Sequence, residues 1–384
     1  MTNDAPLAGI RVVERTCGVG GAYAGRLLAT LGADTMMIEP PAGHALRRTP
    51  PLLPSGQSSL FTYLAAGKRS MTLDVGDAVD RAVLERELAR ADVYIDDFPA
   101  EERDRVGLAP GAVAAAHPDA VVVSVRPFGM SGPKAGWAGE ELSVFHASGE
   151  GNLLPNGLAQ ERHPHRPPLK IFGYFAHLQA GVAAAVGVLA SMVREVGQVV
   201  DISVQDVVVA LTAFGVQRYG DGSIEHRSTR SFRYGGVLEC SDGYVELLTL
   251  EDRQWRGLVE LMGAPDWAAD PALADGVQRG LRGAEINTAL RAWAHTQKAS
   301  ELVAAAQRLG VPAAKYASPA DVLRDAHEIA RGLFQSVEVQ GIGSIPVLTA
   351  PFHIDGGPLR LRGGPPAVAD RERPPVTSNV EAGR

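Results

Sequence analysis

Three side chains stand out as able to do chemistry. His177 opens a very apolar stretch, beside Tyr174 and Gln179. An imidazole there can serve as base or nucleophile near neutral pH. Glu140 and Glu141 directly follow a Gly/Pro-rich segment, RPFGMSGPKAGWAG, where a helix is predicted to start. A helix N-terminus favours carboxylates, so capping is their simpler role; acid, base or nucleophile at the mouth of a loop is the functional one. For His177 the simpler role is a core histidine hydrogen-bonded to backbone.

Other groups are candidates for binding. Gly18-Val19-Gly20-Gly21 lies between a predicted strand and helix, with Glu39 about twenty residues on, a spacing that resembles a dinucleotide site. Tyr23 stands at the third glycine position, which favours a plain strand-to-helix turn over NAD binding. Arg47-Arg48, Lys68-Arg69 and Arg126 follow predicted strands or their loops, where α/β proteins hold phosphates; together they suit a polyanionic ligand. His163 and His165 share a proline-rich loop without a third ligand, so no metal site is expected.

Composition narrows the classes further. The chain has 384 residues, a length that suggests two domains or one large domain with an insertion. Its 43 glycines and 26 prolines stay below the quarter of the chain that marks low complexity. A net charge of −7 argues against a nucleic-acid partner. Cys17 and Cys240 form no disulfide framework and no metal spacing, which fits a reducing cytoplasm. The start, MTNDAPLAG, lacks the pattern of a signal peptide, and Ala180–Val193 is short of the ~20 residues of a membrane span. A cytoplasmic protein with no membrane partner is expected.

The elements that must carry these residues alternate in period. Ile10–Val13, Thr35–Ile38, Val93–Ile95 and Val121–Val125 read as strands, with Val199–Asp201 as a further candidate. Tyr23–Leu31, Val79–Ala91, Pro110–Ala116, Glu140–Ser148, Phe175–Glu195 and Val204–Val216 read as helices, and residues 151–168 as irregular. Strand alternating with helix predicts an α/β layer fold with a mostly parallel sheet. The polar run RYGDGSIEHRSTRSFRYGG is a linker or an active-site loop. After it, ECSDGYVELLTL predicts a hairpin turning at Asp242-Gly243. Helices at Gln254–Met262, Ile286–Trp293 and Ala299–Leu309 complete a smaller α+β unit.

The wording of the segments adds a resemblance. PLAGIRVVERT, LLATLGADTMMIEPPAG, AAGKRSMTLDV, ADVYIDDF with RVGL after it, HPDAVVVSVRPFGMSGP, the Gly181–Ala190 helix, GQVVDISVQD and ECSDGYVELL occur in that order. They resemble the family III coenzyme A transferases, which include formyl-CoA and carnitine CoA transferases and 2-methylacyl-CoA racemases. The resemblance implies a Rossmann-like large domain (1–200 and 321–384), a linker (201–236) and a small domain (237–320). It also implies an interlocked homodimer that takes an acyl-CoA and a small-molecule acceptor, with no tightly bound cofactor. By position, Val19, Gly20, Gly21, Lys68, Arg69, Phe98, Arg105 and Arg126 resemble the CoA-contacting residues.

Several departures accompany it. The family's Phe-Arg-Pro-Gly is Phe98-Pro99-Ala100-Glu101, so the cation after Phe98 is missing. The family's aspartate four residues before the glycine matching Gly181 is His177; the racemases' His-Asp pair after the Gly-Pro loop is Glu140-Glu141. The glycine-rich loop that covers the transferase nucleophile is reduced to Gly235-Gly236. A carboxylate can form an anhydride that the CoA thiolate reopens; an imidazole instead forms an acyl-imidazole, which leads to acyl transfer or hydrolysis. The expected function is CoA or acyl transfer from a CoA thioester. The alternatives are racemase-like proton transfer by His177 with Glu140 or Glu141, and a non-catalytic partner subunit of an active homologue. A nucleotide-binding oxidoreductase rests on the glycine turn and Glu39 alone.

Overall fold

Six of the short apolar or mixed runs become one parallel sheet in the computed structural model, which describes residues 5–155, 157–194, 197–212, 216 and 234–367. The strands are β1 (Arg11–Arg15), β2 (Asp34–Glu39), β3 (Arg69–Thr72), β4 (Val93–Asp96), β5 (Val121–Arg126) and β6 (Val199–Ser203). Their order is β3-β2-β1-β4-β5-β6, with every pairing parallel. This is the doubly wound order, and β1 and β4 flank its topological switch point. Ligands of such sheets bind beyond the carboxyl ends of the strands at that point.

Both faces of the sheet are covered, which explains the continuous apolar runs. Met36 and Ile38 of β2 enter one core cluster, with Leu84 and Leu88 of α3 (Ala78–Leu88) and Val113 of α5 (Pro110–Ala116). Met37, between them, points to the opposite cluster, with Ala22 of α1 (Val19–Thr30) and Phe61 and Leu64 of α2 (Ser59–Ala65). The alternation follows from the two-residue period of a strand. The remaining helices of this stretch are α4 (Ala100–Arg105), α6 (Glu141–Ala147), α7 (Gly157–Arg162), α8 (Phe175–Met192) and α9 (Val204–Leu211). By length and composition α8 could cross a membrane; here it packs along α1, β5, β6 and α9.

Contacts divide the chain into two units: Met1–Glu150, Ile171–Ala213 and Ala326–Arg384 in one, Gly151–Lys170 and Phe214–Asp325 in the other. In the first, the C-terminal segment is tied to the N-terminal half by buried Arg26, which donates to Leu348 O at 2.6 Å, and by Arg362, which donates to Gly32 O at 2.6 Å. The second holds a three-stranded sheet, β7 (Gly236–Cys240), β8 (Gly243–Leu247) and β9 (Ala313–Lys315), over helices at Asp252–Leu261, Gly283–Ala294 and Ala299–Arg308.

Some boundaries differ from expectation. The β7–β8 turn is Ser241-Asp242, because Cys240 pairs with Gly243. Asp242 is held there by accepting the Ala299 N–H at 2.8 Å. Residues 157–162, within the stretch expected to be irregular, form α7. The expected helices at Phe175–Glu195 and Val204–Val216 are described to Met192 and Leu211. Most of the RYGDGSIEHRSTRSFRYGG segment lies outside the described residues.

Candidate active site

Four pieces of chain meet at the carboxyl end of the sheet near β1, β4 and β5. After β1 the chain turns through Gly18 into α1, and the glycines there are demanded by packing. A Cβ on Gly20 would lie 3.3 Å from the His177 carbonyl oxygen; on Gly21 it would lie 2.6 Å from Thr16 Cγ2 and 2.9 Å from an Asp97 oxygen. On Gly181 it would meet the Gly20 carbonyl at 2.8 Å and Tyr23 at 2.9 Å. Glycine in a helix costs roughly 1 kcal/mol relative to alanine. Here it permits α1 and α8 to cross closely, which places His177 against the turn.

His177 is the third residue of α8 and is half-buried. Its Nδ1 lies 2.8 Å from Glu141 Oε2. Glu141, the first residue of α6, also accepts the backbone N–H of Ala176 at 3.0 Å and of His177 at 3.1 Å. One carboxylate therefore caps the start of α8 and orients its imidazole. Burial tends to raise the Glu141 pKa, but the hydrogen bonds from His177 and the two backbone amides prevail and hold it below the usual carboxylate value. An ionised carboxylate is an acceptor only, so Nδ1 is the donor to Glu141 and Nε2 is the ring nitrogen that Glu141 does not engage. Glu140, expected alongside Glu141, is the exposed N-cap of α6 and bonds Ser143 through its backbone. The structure pairs Glu141, not Glu140, with His177.

Asp97, just past β4, closes the glycine turn from the other side. It accepts the N–H of Cys17 at 2.6 Å and of Gly18 at 3.0 Å. Burial raises its pKa against the pull of those amides and of His177. The Cys17 thiol is pushed far up by burial and by Asp97, so it stays protonated. Glu39 is held by Arg47 at 2.6 and 2.7 Å and by the His44 N–H at 2.8 Å. The Cys17 and Gly18 amides and Glu39 are already engaged within the fold, which weakens both supports of the oxidoreductase reading.

The expected cations separate into two groups. Lys68 is completely buried, donating to Glu14 at 2.6 Å and to Ala22 O at 2.7 Å. Arg69 is exposed and forks onto Asp34 at 2.7 and 2.8 Å. Both are therefore ion-paired within the fold. Arg105 and Arg126 form no ion pair among the described residues. Arg126 is nearly buried, donates to Ala135 O at 3.3 Å, and has its pKa lowered by burial and by neighbouring Arg103. A buried, under-partnered guanidinium is costly to fold around, which makes Arg126 a candidate for holding an anion.

Phe98 and Arg105 line a cavity of about 140 Å³ with Arg15, Glu102, Pro40 and Asp74. The Arg15 guanidinium lies 3.9 Å from the Phe98 ring centre and binds Asp96 at 2.7 Å and Glu102 at 2.9 Å. Arg15 and Asp97 were not singled out from sequence, though charges at the ends of adjoining strands in a doubly wound sheet are a usable signal. His163 and His165 are exposed in the second unit, and no metal-binding cluster occurs among the described residues.

Comparison with known proteins agrees with this architecture. Residues 7–371 match the family model described as CoA-transferase family III. The chain is 27% identical over 378 residues to the succinyl-CoA–D-citramalate CoA-transferase of Chloroflexus aurantiacus, covering 96% of this chain and 92% of that one. It is 26% identical to the formyl-CoA:oxalate CoA-transferase of Streptomyces avermitilis, with 94% and 92% covered. A CAIB/BAIF family protein from Brucella suis superposes with a TM-score of 0.82 at 27% identity, over 94% of this chain and 96% of that chain. With its strand order, its glycine-shaped helix crossing and a match over nearly all its length, the chain belongs to CoA-transferase family III, an enzyme of the transferase class.

Proposed function

We propose that this enzyme transfers the acyl group of a CoA thioester to a small acceptor through His177. The observation that carries the reading is the direct 2.8 Å bond from His177 Nδ1 to Glu141. Nε2 attacks the thioester carbonyl carbon, the C–S bond breaks, and CoA leaves as the thiolate. The acyl-imidazole then passes its acyl group to the acceptor's nucleophilic atom and returns Nε2 to its lone-pair state. Glu141 is a positioning residue that stabilises the positive charge on the ring. The CoA moiety lies along the carboxyl edge of the sheet, past Val19, Gly20, Gly21, Phe98 and Arg105, with a phosphate on Arg126. Lys68 and Arg69 drop out of the contact set because Glu14 and Asp34 hold them.

The same bond weighs against a racemase. Two-base proton transfer needs acid and base on opposite faces of the substrate carbon, whereas His177 and Glu141 touch and act as one unit from one side. The assembly in this reading is a homodimer. Val182 and Val186, one turn apart on α8, are 40% and 59% exposed on an otherwise apolar core helix, and a second copy would cover them.

Intact-mass spectrometry after incubation with an acyl-CoA panel tests the chemistry. An acyl-mass adduct on His177 is expected. A CoA-mass adduct would show that a carboxylate carries the reaction, and no titration heat with CoA or any acyl-CoA would remove the reading entirely. Light scattering should report a dimer at micromolar concentration; a monomer there overturns the assembly.

A further inference from the structure

The cavity beside Phe98 carries charges that the transfer chemistry does not account for. It opens at the carboxyl ends of β1, β2 and β4, with the turn after β3 as a further wall, where a doubly wound sheet receives a nucleotide. Apolar Ile38, Leu73 and Phe98 give it a slot for a flat base. The turn after β2 adds Pro40 and Pro41, and the turn after β3 adds Val75 and Gly76, all uncharged. Its charged groups are Arg15, Asp74, Glu102 and Arg105.

The two arginines are not equally available. Arg15 is buried, and its Nη atoms are taken by Asp96 at 2.7 Å and Glu102 at 2.9 Å. Arg105 is exposed and forms no ion pair among the described residues. Asp74 accepts the Gly76 N–H at 3.0 Å and likewise forms no ion pair among the described residues. Arg126 is not among the lining residues, and Pro99, just past Phe98, brings no cation. One available guanidinium therefore faces two carboxylates.

Doubly wound folds read a ribose by charge. A carboxylate takes the hydroxyl of a bare ribose, whereas an arginine accommodates a phosphorylated one. CoA carries a phosphate on its ribose, and dephospho-CoA differs from it by that group alone. Such a phosphate would meet Asp74 and Glu102 in this cavity with Arg105 alone to balance it, and unbalanced like charge rejects a ligand. The cavity is also connected to the reacting ring. Phe98 follows Asp97, which binds the Cys17 and Gly18 amides at 2.6 and 3.0 Å; on the same turn a Cβ at Gly20 would lie 3.8 Å from His177 Cδ2. A pantetheine arm running past that turn would join nucleoside and thioester.

We propose that this cavity holds the nucleoside end of the thioester carrier and selects an unphosphorylated ribose, with Asp74 as the discriminating residue, so that dephospho-CoA is bound in preference to CoA. The proposal rests on the reading that such a thioester reacts at His177, and it names the carrier that site takes.

Isothermal titration of the full-length protein tests it. Dephospho-CoA should bind about tenfold more tightly than CoA. Asp74→Asn should bring the two affinities close together, and Asp74→Lys should reverse their order. Equal binding of the two carriers by the wild type, tighter binding of CoA, or a ratio unmoved by Asp74→Lys overturns the proposal. Intact-mass spectra after incubation with acyl thioesters of both carriers keep it distinct from the reading beneath it. Acyl adducts on His177 together with tighter CoA binding would leave that reading standing and remove this one. Preferred dephospho-CoA binding without any adduct would do the reverse. If neither carrier binds, both fall.

Discussion

Two contacts between a glutamate and a basic side chain in the large unit look alike on paper. Glu14 with Lys68 and Glu141 with His177 are both made across distant parts of the chain, at 2.6 and 2.8 Å. Their electrostatics run in opposite directions. Glu14 and Lys68 have no exposed side-chain surface, and burial pushes Glu14 up and Lys68 down although each faces its partner. Glu141 and His177 keep 9% and 16% exposure, and there hydrogen bonds prevail over burial and pull Glu141 down. The dry pair is closed on itself, with Lys68 also bonded to Ala22 O. In the wet pair Glu141 engages Nδ1 only, and the ring keeps part of its surface at the solvent boundary. Pairing a carboxylate with a base does not make a site; an unspent atom at the boundary of water does.

The contrast can be broken at its wet end first. His177→Ala should lower turnover by ~10²–10⁴ while isothermal titration finds acyl-CoA affinity nearly unchanged. Full turnover in that variant would sink the assignment. His177→Asp should replace the acyl adduct by a CoA adduct in intact-mass spectra.

At the dry end, Lys68→Met leaves Glu14 buried without its cation and should cost about 3–5 kcal/mol in urea unfolding. Lys68→Met with Glu14→Leu should recover most of that, since two apolar groups replace two charges. A single variant as stable as wild type would show that water reaches the pair.

His44 sharpens the comparison, because it binds the same dry network: its Nε2 lies 3.3 Å from Thr16 Oγ1, which in turn donates to Glu14 at 3.1 Å. Burial lowers its pKa to about 4, helped by Lys68 and Arg47 and opposed by Glu39. The unfolded chain takes up this proton near pH 6.5, so stability should rise from pH 4 to 6.5, by about 3 kcal/mol. His44→Gln should flatten that part of the stability curve, and an unchanged slope would show that the ring is not dry.

The smallest effect concerns Glu141 as a helix cap. Its contribution is present above its unfolded pKa near 4.5 and lost as pH falls through the lower folded value. Glu141→Gln should cost about 1 kcal/mol in thermal unfolding near neutral pH, and no change in melting would mean that Ala176 and His177 find other acceptors.

Most of the sheet was legible because β1, β2, β4 and β5 are buried on both faces and so read as unbroken apolar runs. β3 was not, since RSMT is a half-exposed edge strand with few apolar residues. β9, of three residues, is too short to carry a period. His177 and Glu141 were legible as residues, but their contact was not, because it spans 36 positions and depends on how α6 and α8 meet. The carboxylates that Lys68 and Arg69 face, Glu14 and Asp34, were illegible for a related reason. A sequence shows a cation but not the carboxylate that folding brings to it.

The glycine crossing of α1 and α8 has a consequence for how this enzyme could change. The backbone of residue 177 is fixed from one side by Gly20, whose missing Cβ leaves room for the His177 carbonyl, and from the other by Glu141, which binds its N–H. The Gly20 restraint acts on the backbone alone, while Glu141 also holds the imidazole through Nδ1. The scaffold therefore specifies a place in space and leaves the group displayed there to a single codon, and histidine and aspartate codons differ by one base. Such a socket fixes where a reacting group stands, and an exchange of that group in one step leaves Glu141 with its two backbone donors but without the imidazole.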